Sequence, residues 1–329
     1  MAKRPIDHRR DSAGSMSVGL PEEGNITDIY KFGTERMLMI KERAAYEIKM
    51  ADTIDPDRSN EQIPNIQQRI LQVGSDNMLV QTILLTCGRL FDQTYLADFD
   101  CDLLKEHALN ATREILSMDR TFQRMRAEEV TLVRQLDGQE LANGFILPHL
   151  SDAEQDIKNF LQRADHFTRE MFGITRKFEK DFGNVDTLLS RARREAPPNE
   201  EFVKFLERAC PFVKFVREAR NAVEHPIAQK HIEIYNFELD PSARIILPSI
   251  EVVHPKCGEP RTGLISFLKA MIESLTTLFG AWVAHLCARK ASFGKFGVTV
   301  MRLPEDKRTD KRIAYSYALN MGGEWHPVG

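Results

Sequence analysis

Apolar residues recur at helical spacing along most of this chain. Within 34–51, Met37, Ile40, Ala44 and Ile48 fall three or four apart and predict a helix that ends in the Pro-, Asp-, Ser- and Asn-rich stretch 52–60. Ile66, Ile70 and Val73 start a second helix, which 80–96 extends or follows beyond Gly74-Ser75-Asp76. Leu103, Leu104, His107, Ala108, Ala111 and Ile115 predict a third, and a fourth runs from about Arg120 to Leu136, stopped by Asp137-Gly138. Past the loop 143–149, Ser151 is placed to cap a helix, with Glu154 three residues on, that carries Ile157, Phe160, Leu161, Ala164 and Phe167. Pro197-Pro198 punctuates the chain. Helix resumes at Glu200 and continues, kinked or restarted at Pro211, to His225-Pro226.

The period then changes. Residues 232–237 and 244–253 flank Asp240-Pro241-Ser242 and predict a hairpin; 298–303 and 313–319 flank another polar turn and predict two more strands. Between these pairs, Leu264, Leu268, Met271, Leu275, Leu278 and Trp282 form an a/d seam. The stretch 263–287 is apolar enough to raise the question of a membrane span. Lys269, Glu273 and His285 interrupt it, and charge is expensive in lipid, so a buried helix is expected and no membrane partner. The expected fold class is mainly α: a helical bundle with a small antiparallel β-sheet in the C-terminal part. Three regions are expected: a disordered tail over 1–25, rich in charge, Gly, Ser and Pro; a helical scaffold over 26–148; and a helical domain with hairpin additions over 149–329.

Composition narrows the function classes. The chain has 329 residues, 42% hydrophobic and 28% charged, enough to bury a sizeable core, and its formal net charge of −3 is not that of a protein coating nucleic acid. Any RNA contact must use a local basic patch. The cysteines Cys87, Cys101, Cys210, Cys257 and Cys287 are scattered and never form a C-x-x-C pair, so neither a disulfide framework nor a four-ligand zinc site is implied. Charges at the N-terminus have no apolar stretch behind them, which excludes a secretory signal and points to the cytoplasm.

The sharpest chemical signal is Arg220-Asn221-Ala222-Val223-Glu224-His225. On a helical wheel, Phe212, Val216, Ala219 and Val223 share a stripe that must face the core, while Asn221 and His225, four apart, lie together on the other side. Arg220 sits at the edge of the stripe, from which a long side chain reaches out, and Pro226 stops the helix beside His225. An Arg, an Asn and a His thus converge near one helix end.

This segment resembles the motif of the HEPN superfamily (higher eukaryotes and prokaryotes nucleotide-binding), an Arg followed after four to six residues by His, often with Asn directly after the Arg. The resemblance is specific over 217–226 and covers roughly 150–290 in expected architecture. It implies a helical bundle that dimerises with two such motifs face to face. Many members are metal-independent endoribonucleases of toxin–antitoxin, phage-defence and RNA-guided systems. On that reading His225 is general acid/base, Arg220 clamps the phosphate and Asn221 orients the imidazole or donates to phosphate. No cofactor is required, because RNA carries its own 2′-hydroxyl nucleophile. The chain has no second Arg-x4–6-His, so a composite site needs a second copy and predicts a homodimer; an antitoxin or regulatory protein is a further implied partner. Ile227 stands where members paired with nucleotidyltransferase antitoxins carry Tyr, which disfavours that subset. The first 150 residues have no counterpart in the minimal family fold. The alternative is a non-catalytic HEPN-like module that binds nucleotide, RNA or protein.

Other residues carry weaker signals. Arg191, Arg193 and Arg194, with Lys214 and Arg217 on the motif helix, are candidates to lead RNA to the site, although a solvated helix face explains a basic run as readily. His254-Pro255-Lys256-Cys257 offers two potential zinc ligands, and two do not make a site.

Overall fold

Strands, not long helices, occupy most of the stretch 26–71. The computed structural model describes residues 4–12, 16–33, 35–195 and 200–328. After α1 (Pro5–Asp11) come β1 (Ile26–Phe32), β2 (Arg36–Lys41), β3 (Ala45–Lys49), the short α2 (Ala51–Ile54) and β4 (Ile66–Leu71). These strands form an antiparallel sheet in the order β1-β2-β3-β4. The helix expected over 34–51 is therefore two strands. Leu38 and Ile40 on β2 and Ala45, Tyr46 and Ile48 on β3 are all buried, and the pairing of Met37 with Ile48, Met39 with Tyr46 and Ile40 with Ala45 places them on both faces of the sheet. Strands apolar on both faces give near-continuous apolar runs, which contain helical intervals such as Met37, Ile40, Ala44 and Ile48 as readily as alternating ones. The helix expected from Ile66 is β4, whose residues are mostly exposed.

Next come α3 (Met78–Val80), a π turn (Gln81–Leu85) and α4 (Thr86–Leu90), then α5 (Cys101–Leu136), which joins the third and fourth expected helices into one. There follow α6 (Ala153–Phe178), α7 (Val185–Arg194), α8 (Glu200–Glu224), β5 (His231–Tyr235), β6 (Glu238–Leu239), β7 (Ile245–Ile246), β8 (Ser249–Val253), β9 (Glu259–Gly263), α9 (Leu264–Lys290), β10 (Val298–Arg302), β11 (Tyr315–Met321) and β12 (Glu324–Val328). About 49% of the chain is helix and 20% strand, the strands lying in four separate small sheets. The fold mixes α and β. The expected mainly α helical bundle, with strands only near the C-terminus, is overturned by this count and by the N-terminal sheet.

Two compact units divide the chain: Met1–Leu109 with Val283–Gly329, and Asn110–Trp282. The chain passes between them inside α5 and again inside α9, whereas the boundary expected at 148/149 falls within the second unit. The first unit holds the four-stranded sheet and the β10-β11-β12 sheet. Its core includes Leu38, Ile40, Ile48, Ile83, Leu84, Leu85 and Leu90. Tyr317 of β11 donates its hydroxyl to the Leu90 carbonyl (2.6 Å) and stacks on Tyr95 at 4.1 Å between centroids. In the stretch expected as a disordered tail, α1 forms with Ile6 buried, Val18 is buried, and Arg10 pairs with Asp52 and Asp55 at 2.9 Å each.

In the second unit α6 packs on α8, and α7 on α8. Phe160, Phe167, Ile174, Leu206 and Val216 are buried, and Trp282 donates its indole N–H to Thr175 Oγ1 (2.9 Å). Ser151 does not cap α6: its N–H donates to Glu128 Oε1 (2.9 Å), and the helix starts after Asp152 in the left-handed region. The hairpin around Asp240 is present as β6 and β7, extended by β5 pairing with β8. All six seam residues of α9 are buried. By length and composition this helix could cross a membrane, and half of its most apolar window is buried within the protein. The Pro197-Pro198 break lies outside the described residues.

Candidate functional site

The motif helix α8 is a single helix that runs through Pro211. Its buried face is Val213, Val216, Ala219 and Ala222, one residue round from the expected stripe; Phe212 and Val223 are half-buried. Arg220, on the expected edge, is half-buried with 26% of its side chain exposed. The helix ends at Glu224, and the His225 N–H donates to the Asn221 carbonyl (2.9 Å) as the chain turns away at Pro226. His225 is exposed, and its imidazole has no hydrogen-bond partner among the described residues.

Arg220 is not a free cation. Its Nη2 pairs with Glu224 Oε2 (2.7 Å), its Nη1 donates to Asn221 Oδ1 (3.2 Å), and its Nε lies 3.9 Å from Asp165 Oδ2 on α6. Asp165 is also held by Arg169 at 2.6 Å, and Gln162 donates to the other Glu224 oxygen (2.8 Å). Two guanidinium groups thus face two carboxylates, and a phosphate arriving here must compete with both acids. A guanidinium has five N–H donors. Asn221 and Glu224 engage two of them, which leaves donors for a ligand.

The sequence reading missed Glu224, Gln162, Asp165 and Arg169. One was legible: Glu224 lies four residues after Arg220 inside the motif itself, the spacing at which opposite charges meet on a helix. The others come from α6, 50 or more residues away in sequence, and nothing local announces them.

The remaining candidates divide. Lys214 pairs with Asp186 (2.6 Å), Arg191 with Glu179 (2.7 Å), and Arg193 with Glu207 (2.7 Å). Arg194 and Arg217 are exposed and make no ion pair among the described residues. Of the five side chains proposed to guide RNA, three are therefore neutralised by acids. His254 and Cys257 satisfy one another: Cys257 Sγ lies 3.0 Å from His254 Nδ1, and His254 Nε2 lies 3.3 Å from Glu218 Oε2. The Lys230 ammonium hydrogen-bonds Glu218 and holds its carboxyl below the usual range, while burial pushes the Cys257 thiol up. Among the described residues no three His, Cys, Asp or Glu side chains gather as a metal site. His231, on β5, bonds Glu233 (2.9 Å), which raises its pKa.

No protein-family model, curated protein or solved structure matches this chain. The likeness to HEPN proteins rests on residues 217–226.

Proposed function

We propose that this chain cleaves RNA at the C-terminal end of α8, in the manner that the Arg-Asn-His motif implies, as a homodimer in toxin–antitoxin or phage defence. The observation that carries this reading is the exposed His225 imidazole one turn beyond Asn221, whose amide oxygen takes a hydrogen bond from Arg220. In the reaction the 2′-hydroxyl oxygen attacks phosphorus and loses its proton to a base, the bond to the 5′-oxygen breaks, and that oxygen is protonated as it leaves. The products are a 2′,3′-cyclic phosphate and a 5′-hydroxyl. His225 moves the proton, Arg220 contacts the phosphate with the donors that Glu224 and Asn221 leave over, and a second copy completes the site across a two-fold axis.

The test is RNA cleavage in EDTA by the wild type, His225→Ala and Arg220→Ala. Loss of proton transfer lowers the rate at least about a hundredfold in His225→Ala. A variant that cuts as fast as the parent removes the proposed site, and a diluted monomer with full activity removes the composite dimer.

The pairing of Arg220 with Glu224 and Asp165 favours a second reading, a module that binds nucleotide, RNA or a protein partner without cutting. RNA that stays bound and intact after long incubation distinguishes it from the first.

A further inference from the structure

The unit made of Met1–Leu109 and Val283–Gly329 contains a cavity of about 460 Å³. Its walls come from β1, the end of the π turn, α4 and the stretch 303–316. One side chain has shaped this wall. A Cβ placed on Gly88 of α4 would lie 2.1 Å from Tyr30 Oη, so only glycine at that position leaves room for the phenol. A π turn, a rare feature that concentrates at functional sites, immediately precedes α4. The hydroxyls of Tyr30 and of Tyr315, also on the wall, find no hydrogen-bond partner among the described residues, and burial pushes both phenols up.

The charges are arranged unevenly. The two carboxylates on the wall, Asp28 and Asp310, are both taken by Arg312, at 3.1 Å and 2.6 Å. Arg89 and Arg308 hydrogen-bond neither acid, although the charge of Arg89 adds to that of Arg312 in holding Asp310 below the usual carboxylate range. Arg308 uses only Nε, on the Leu303 carbonyl (3.1 Å), and Arg89 makes no hydrogen bond among the described residues. Three guanidinium groups therefore face two acids, and the unspent donors are two guanidinium ends and two phenols. A carboxylate offers two acceptor oxygens. A phosphate monoester offers three and nearly twice the charge, which suits this donor set better. Bare phosphate would leave most of the cavity unfilled, and Leu85, Leu303 and Ile313 supply an apolar wall for something larger.

We propose that this cavity binds a small phosphate monoester whose phosphate meets Arg89, Arg308 and the two phenols and whose body is a flat apolar ring. The site is independent of the Arg-Asn-His reading and stands or falls alone. Isothermal titration of the full chain with phenyl phosphate, adenosine monophosphate, inorganic phosphate and phenol tests it, with circular dichroism to verify folding of each variant. Saturable binding of either ester is expected, with inorganic phosphate and phenol each at least about tenfold weaker, and whichever ester binds tighter identifies the body. Arg89→Ala/Arg308→Ala weakens the ester at least about tenfold, because each charged hydrogen bond lost is of that order, and Tyr30→Phe weakens it several-fold. No saturable binding of either ester at millimolar concentration, or a folded double variant that binds as the parent does, overturns the proposal.

Discussion

Arg220 and Arg308 are both half-buried guanidinium groups beside candidate sites, in different units, and they are spent differently. Arg220 is met by Glu224 from one helical turn on and by Asp165 from α6, whereas Arg308 gives one N–H to a backbone carbonyl and meets no carboxylate hydrogen bond. The first arginine lies in a motif that announces anion chemistry; the second lies in no motif at all. Availability to an anion is set by the acids within reach, and a sequence pattern that names the cation without its neighbours describes half of the electrostatics.

Three measurements test this contrast. The largest effect is expected at Arg220→Ala, which leaves Glu224, 14% exposed, without its cation and Asp165 with Arg169 alone. The loss is about 2 kcal/mol by urea denaturation, below the value for a fully buried pair because Arg220 is partly solvated. A variant as stable as the parent would mean that the pairing costs nothing to break and the two arginines are alike.

The second effect is acid release of α1. Asp7 is held down to about 2, first by the hydrogen bond from Arg4. Asp52 is lowered chiefly by Arg58, and Asp55 by the backbone N–H groups of Ser59 and Asn60. Carboxyls with depressed folded-state values stabilise fully above their unfolded value, near about 4, and lose that contribution as the pH falls through the folded value. Hydrogen exchange of α1 should therefore accelerate between about pH 4 and pH 2, ahead of α6. Equal protection of α1 and α6 across that window would show that the network does not anchor α1.

The smallest effect is expected at Arg89→Ala/Arg308→Ala, which should leave the thermal midpoint nearly unchanged, within about 0.5 kcal/mol of stability. A larger loss would make these arginines structural and erase the contrast.

The long helices and the C-terminal hairpins were legible because their signal is local: α6, α8 and α9 carry helical periodicity over many turns, and Asp240-Pro241-Ser242 is a turn by its own chemistry. The N-terminal sheet was not, since β2 and β3 are short and apolar on both faces, and such a run holds helical intervals as well as alternating ones. The end of α8 was legible in the order of its residues but not in its electrostatics. His225 stands beyond the helix end as Pro226 requires, while Asp165, Arg169 and Gln162, which hold Arg220 and its carboxylates, arrive from α6. The cavity around Tyr30 left no mark in the sequence at all. Its walls come from positions nearly 290 residues apart, and the need for glycine at position 88 exists only once β1 lies against α4.

The first unit is interrupted, and this orders events on the ribosome. Residues Asn110–Trp282 emerge as one uninterrupted stretch and can complete their structure while the N-terminal meander still lacks β11, whose Tyr317 closes onto the Leu90 carbonyl. The first unit's core is completed only after the insert has emerged, when β10, β11 and β12 follow it.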